Sequence, residues 1–175
     1  STRRIMGDVV LALLPALLVS VYVLGWRVLF VTAVSVVACV AFEYLIARFL
    51  LKRRATIGDL SAVVTGLLLA FNLPTGIPWW IVVIGAAVAI GVAKMTFGGL
   101  GCNPFNPALA GRIFLLISFP VQMTSWPEIK QYMAYTDATT AATPLSLMQT
   151  AIATGDASVL EQLPSLEEML LGAMG

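Results

Sequence analysis

Hydrophobic residues fall into five runs, over residues 5–24, 28–51, 60–73, 79–95 and 107–119, separated by short breaks that are basic or rich in glycine and proline. An apolar helix needs about 20 residues to cross the hydrocarbon core of a bilayer, so the pattern predicts membrane spans. The first run carries Pro15, and the second is long enough to cross with tilt. The third and fifth hold 14 and 13 residues. Runs that short, bounded by Gly and Pro, predict broken helices that face protein or a cavity, where unwound backbone lines a site. Beyond residue 119 the pattern turns polar and no further span is predicted up to 175.

Composition agrees with a bilayer setting. The 175 residues are 59% hydrophobic and 11% charged, with a mean hydropathy of +0.95, whereas a soluble domain carries far more charge. A net charge of +1 excludes a nucleic-acid footprint. The expected partners are lipid, other membrane subunits and a cofactor. The few basic residues report topology: Arg3, Arg4, Lys52, Arg53, Arg54 and Lys94 fall on one side of a five-span zigzag, Arg27 and Lys130 on the other. By the positive-inside rule the first side, and the N-terminus, are cytoplasmic, and the tail of residues 120–175 lies outside. Trp79 and Trp80 read as an interfacial belt. No signal-peptide cleavage site follows the first run. The chain opens on Ser1-Thr2-Arg3-Arg4 and stops soon after the apolar Met169-Leu170-Leu171, which reads as a piece of a longer protein.

Two cysteines and no histidine cannot build a metal site: Cys39 reads as a packed thiol, and Cys102 sits beside a glycine cluster. Chemistry concentrates in two stretches. The first runs from Phe97 to Arg112 and contains Gly98, Gly99 and Gly101, then Asn103-Pro104-Phe105-Asn106-Pro107. Glycines there let backbone approach a ligand, Asn103 and Asn106 offer amide donors and acceptors, and Asn106 with Pro107 reads as a helix cap. Taken alone, the stretch suits a capped turn as well as a binding site, and its single Asn-Pro-Ala is weak evidence for a water channel. The second is Asp137-Ala138-Thr139-Thr140-Ala141-Ala142-Thr143-Pro144-Leu145. Thr143 is a hydroxyl that a phosphate such as that of FMN can esterify, and equally an N-cap ahead of a proline-initiated helix.

Glu43 lies inside the second run, with Arg48 five residues on. An intramembrane acid is costly and faces a cavity or a partner, so Glu43 is a candidate either for cation or proton handling or for an interhelical pair with a base such as Arg112. Asp59, ahead of Leu60 and Ser61, reads as an N-cap. Asp8, near the start of the first run, is assigned no role.

The opening Ser-Thr-Arg-Arg-Ile-Met, the Asn103 to Arg112 block and the Asp137 to Leu145 run stand in order along the chain. Together they resemble the D subunits of Rnf electron transport complexes, relatives of the B subunits of sodium-translocating NADH:quinone oxidoreductases. The resemblance implies an all-α integral membrane fold, about five transmembrane helices forming the first of two inverted repeats, urea-transporter-like. It divides the chain into a five-span membrane domain, 1–119, and an extracytoplasmic flavin-attachment loop, 120–175, that leads to a second repeat. Family FMN is joined by a phosphoester to the last Thr of a Ser/Thr-Gly-Ala-Thr motif, which reads here Thr140-Ala141-Ala142-Thr143, with Asp137 matching the acidic position ahead of it. Thr143 is then the covalent FMN site, and Ala141 replaces the commoner Gly. Riboflavin in the relatives is associated with an asparagine pair that matches Asn103 and Asn106.

The implied function is a flavoprotein subunit of a redox-driven pump in a bacterial inner membrane. It passes electrons between a cytoplasmic-side flavin and the outer FMN, between ferredoxin and NAD, coupled to sodium or proton movement. Implied partners are the other Rnf subunits and a flavin transferase, and Glu43 becomes the ion-pathway candidate. The alternative is a small-solute transporter or channel without a redox cofactor.

Overall fold

The computed structural model describes residues 1–52, 57–125, 148–149 and 151–152, and among these every regular element is helical. Helix α1 spans Thr2–Leu24 and α2 spans Arg27–Leu45, the latter continuing through a wide-turned π segment, Ile46–Leu50. A short 3-10 turn, Ile57–Asp59, leads into α3, Ser61–Ala70. Helix α4, Trp79–Ala87, likewise runs on as a π segment, Val88–Met95. Helix α5 covers Pro107–Ser118, and a five-residue α6, Pro120–Thr124, follows at once. The five apolar runs thus become five helices, ending within a few residues of where the pattern placed them.

Two helices, Thr2–Leu24 and Arg27–Leu50, are long and apolar enough to cross a membrane, at 23 and 24 residues. The third and fifth stay short, at 10 and 12 residues. Seven residues of α3 are buried, so this short helix is surrounded by protein, while α1 buries none and lies along the outside. A row of large apolar side chains that includes Leu11, Leu18, Val37, Phe49, Val92, Ile113 and Ile117 faces outward. Outward apolar rows of this kind suit a hydrocarbon solvent.

Close backbone approach sets the packing. A Cβ at Gly66 of α3 would lie 2.7 Å from the Val36 Cα of α2, and Ser35 Oγ donates to the Gly66 carbonyl at 2.8 Å. A Cβ at Gly111 of α5 would lie 2.9 Å from the Gly85 carbonyl of α4, and the Leu115 side chain fills the groove that Gly85 leaves. Small residues at crossings with a hydroxyl bonded across them are how helices associate where no hydrophobic force separates protein from solvent. The core they enclose includes Leu69, Ile81, Ile90 and Leu115, each fully buried.

The helix ends on one side of this bundle converge. Met6 of α1, Ser61 at the start of α3, Lys94 at the end of α4 and Asn106 ahead of α5 all line one cleft. At the opposite end Trp80 meets Phe119 edge to face, with ring centroids 5.4 Å apart. Successive helices therefore alternate in direction, α1, α3 and α5 starting at the cleft end and α2 and α4 running toward it. Arg53, Arg54 and Lys130 lie outside the described residues; among those described, Lys94 departs from the solvent-facing side that the sequence assigns to it. It is 2% exposed and belongs to the interior, because a buried acid claims it.

The packing yields a test. Gly66→Ala forces α2 and α3 apart against backbone atoms and should destabilise the protein by about 1–3 kcal/mol. Gly91→Ala, whose new Cβ would meet only Ile46 Cδ1 at 3.4 Å, should stay within about 0.5 kcal/mol of the parent. Thermal unfolding in detergent, read by intrinsic fluorescence, distinguishes the two.

Candidate functional site

Glu43 of α2 is fully buried, and Lys94 Nζ donates to its Oε2 at 2.5 Å. The same ammonium donates to Ser61 Oγ at 2.6 Å, and Ser61 Oγ in turn donates to Asp59 Oδ1 at 2.6 Å. Asp59 Oδ1 also accepts the backbone N–H of Ser61 at 2.8 Å. The result is a chain from the second helix to the fourth to the start of the third: Glu43, Lys94, Ser61, Asp59. Burial makes the pairing obligatory, since an isolated charge here would have neither water nor a counter-ion.

Local structure aims these groups. Lys94 sits in the π segment that extends α4, where an extra residue per turn shifts which side chains face inward. Asp59 precedes Leu60, whose left-handed backbone (φ 63°) breaks the chain just ahead of α3. Asp59 therefore satisfies the first N–H of α3 from one position earlier than an ordinary N-cap, and its carboxylate still reaches the Ser61 hydroxyl.

Lys94 and Ser61 also form part of the wall of the cleft, whose volume is about 370 Å³. Thr65 and the two asparagines, Asn103 and Asn106, add polar groups; Met6, Val64, Leu68, Leu100 and Phe105 supply apolar ones. Ligand sites are commonly of this size and make-up, mostly apolar with a few convergent polar groups. The loop before the asparagines holds Gly98, Gly99 and Gly101 at φ of 107°, 99° and 84°, conformations that residues with a Cβ adopt at a cost. Asn106 caps α5, its Oδ1 accepting from Ala108 N at 3.0 Å with Pro107 in the first turn. Asn103 Nδ2 donates to the Phe105 carbonyl at 2.8 Å. Each bond uses one end of its amide, which leaves the Asn103 carbonyl oxygen and the Asn106 amide nitrogen without a side-chain or backbone partner among the described residues.

The structure thus brings three of the sequence-derived site residues, Glu43, Asn103 and Asn106, to one end of the bundle. Glu43 forms an ion pair, and the base is Lys94 in place of Arg112. Arg112 Nη1 instead donates to Asn72 Oδ1 at 2.9 Å, because α5 carries it toward the loop after α3. Cys39 is buried on the face of α2 that also carries Ser35 and Glu43, and Cys102 is exposed. No cluster of metal-binding side chains exists among the described residues. Asp137, Thr140 and Thr143 lie outside the described residues. Sequence reasoning missed Lys94 and Ser61 as members of the site. The available signal was that Lys94, like Glu43, stands inside an apolar run and carries the opposite sign.

The profile of the NQR2, RnfD, RnfE family matches residues 1–175. The D subunit of the Na(+)-translocating ferredoxin:NAD(+) oxidoreductase complex of Acetobacterium woodii is 49% identical over the whole chain, which covers 51% of that relative. The D subunit of the ion-translocating oxidoreductase complex of Cronobacter sakazakii is 46% identical over 76% of the chain and 38% of its own length. Its counterpart in Salmonella newport is 47% identical over 71% of the chain and 36% of its own length. The chain spans about half the length of the Acetobacterium relative, and less of the other two.

Replacing Lys94 by Met removes the ammonium from beside a buried carboxylate and should cost about 3–5 kcal/mol. The neutral pair Glu43→Gln with Lys94→Met should recover most of that loss. Denaturation of both variants in detergent gives the comparison.

Proposed function

The chain belongs to the NQR2, RnfD, RnfE family, and from that membership we propose that it is the first half of the membrane flavoprotein subunit of a redox-driven ion pump. The observation that carries the reading is the 49% identity over the full chain to a relative named as the D subunit of a Na(+)-translocating ferredoxin:NAD(+) oxidoreductase complex. In this reading the helices form the first of two inverted, urea-transporter-like repeats in a bacterial inner membrane. The cleft end, with Arg3, Arg4 and Lys52, faces the cytoplasm, and residues 120–175 lie on the outer side. The partners are the other subunits of an Rnf-type complex and a flavin transferase during maturation.

Two flavins fit this division of the chain. Thr143 anchors FMN through a phosphoester on its hydroxyl, with Asp137 and Thr140 beside it in sequence. Riboflavin occupies the cleft, where the observed volume and lining suit a flat ring with polar edges: Leu100 and Phe105 offer apolar walls, while Asn103, Asn106 and Lys94 offer hydrogen-bonding groups. Bound flavins supply electron acceptance and donation; the chain binds them, orients them and holds them at opposite faces of the bilayer. Glu43, inside the spans and close to the cleft, is the residue of this half best placed to contact a translocated sodium ion or proton.

Production of the full-length protein in cells containing the transferase tests the outer site. Intact mass should show an added FMN, and the denatured band should fluoresce as a flavin; Thr143→Ala should lose both. A full-length, correctly inserted protein with neither mass nor fluorescence would favour a small-solute transporter without a redox cofactor.

A further inference from the structure

The ammonium of Lys94 serves two places at once. It bonds the Glu43 carboxylate and the Ser61 hydroxyl, and both Lys94 and Ser61 line the cleft. Glu43, Lys94 and Ser61 are 0%, 2% and 3% exposed, so water screens none of them appreciably. We propose that Lys94 sets the charge felt by an electron-rich ring in the cleft, and that through Lys94 the charge on Glu43 and the occupancy of the cleft are linked. The proposal rests on reading the cleft as a flavin site.

Formal charges give the direction. With Glu43 and Asp59 ionised and Lys94 protonated, the hydrogen-bonded chain carries one net negative charge. Neutralising Glu43 brings it to zero, and removing the ammonium brings it to two negative. The ring of a flavin presents carbonyl oxygens and becomes richer in electrons when reduced, so its affinity should rise as the cluster becomes less negative. An ammonium has three N–H donors, and two are committed to Glu43 and Ser61. In this scheme the third meets an acceptor on the ring. A cation resting at Glu43 acts on the cluster as neutralisation does. By linkage, negative charge arriving in the cleft then strengthens the hold on that cation, and the effect is reciprocal. Lys94 in this scheme is a positioning residue that joins an electron site to an ion site within one half of the fold.

Riboflavin titration of the full-length protein in lipid nanodiscs tests this, followed by quenching of flavin fluorescence in a Thr143→Ala background so that the cleft alone is measured. Glu43→Gln should bind riboflavin several-fold more tightly than the parent. Lys94→Met should bind about tenfold to a hundredfold more weakly, the range of a lost hydrogen bond to a charged group. The double variant, which leaves the cluster at the parent's one net negative charge, should also bind more weakly than the parent because the donor is gone. Weakening by both single variants, or parent-like affinity in a folded double variant, would overturn the linkage and leave Glu43 and Lys94 as a structural clamp. A parent that binds no riboflavin would overturn the cleft reading, and the proposal with it.

Discussion

A carboxylate cannot sit alone in an apolar bundle, and Glu43 does not: Lys94 meets it at 2.5 Å. Much else follows from this requirement. To deliver Lys94 the fourth helix must run parallel to the second and reach the level of Glu43 near its own end. To take up a second proton of the ammonium, Ser61 must stand at the start of α3, held there by Asp59. One pair therefore fixes the register of three helices. A buried pair contributes little net stability against an apolar substitute, so its presence at this depth fits a specific or functional role better than a stabilising one.

The half-length helices convert that register into a site. Because α3 and α5 are only 10 and 12 residues long, the bundle is incomplete around their first turns, and the gap is the cleft. Gly66 and Gly111 let the short helices press against α2 and α4. The glycine loop before Asn103 then folds back over that end with its three left-handed residues. Amide groups, a buried cation and apolar walls converge there without any one helix supplying them all.

Much of the fold was legible because hydrophobic run length is a strong signal: all five helices, the shortness of the third and fifth, and the Asn106 cap were readable directly. Residue type also marked Glu43 and the asparagine pair. The partner of Glu43 was not readable. Lys94 lies near the end of its run, where a basic residue ordinarily reports topology, and only the π segment that extends α4 turns it inward. Ser61 carried no signal at all, since a serine at a helix start usually serves its own backbone. Run length also cannot show that Arg112 points toward Asn72, because that depends on the crossing of α5 with the loop after α3.

The most direct test of the account is an experimental map of the full-length protein in lipid, at a resolution that shows side chains. It should show ring density in the cleft between Asn103 and Asn106, with Lys94 within hydrogen-bonding distance of both the ring and Glu43. A cleft filled by side chains of the second half of the chain, or a ring bound away from Lys94, would contradict it.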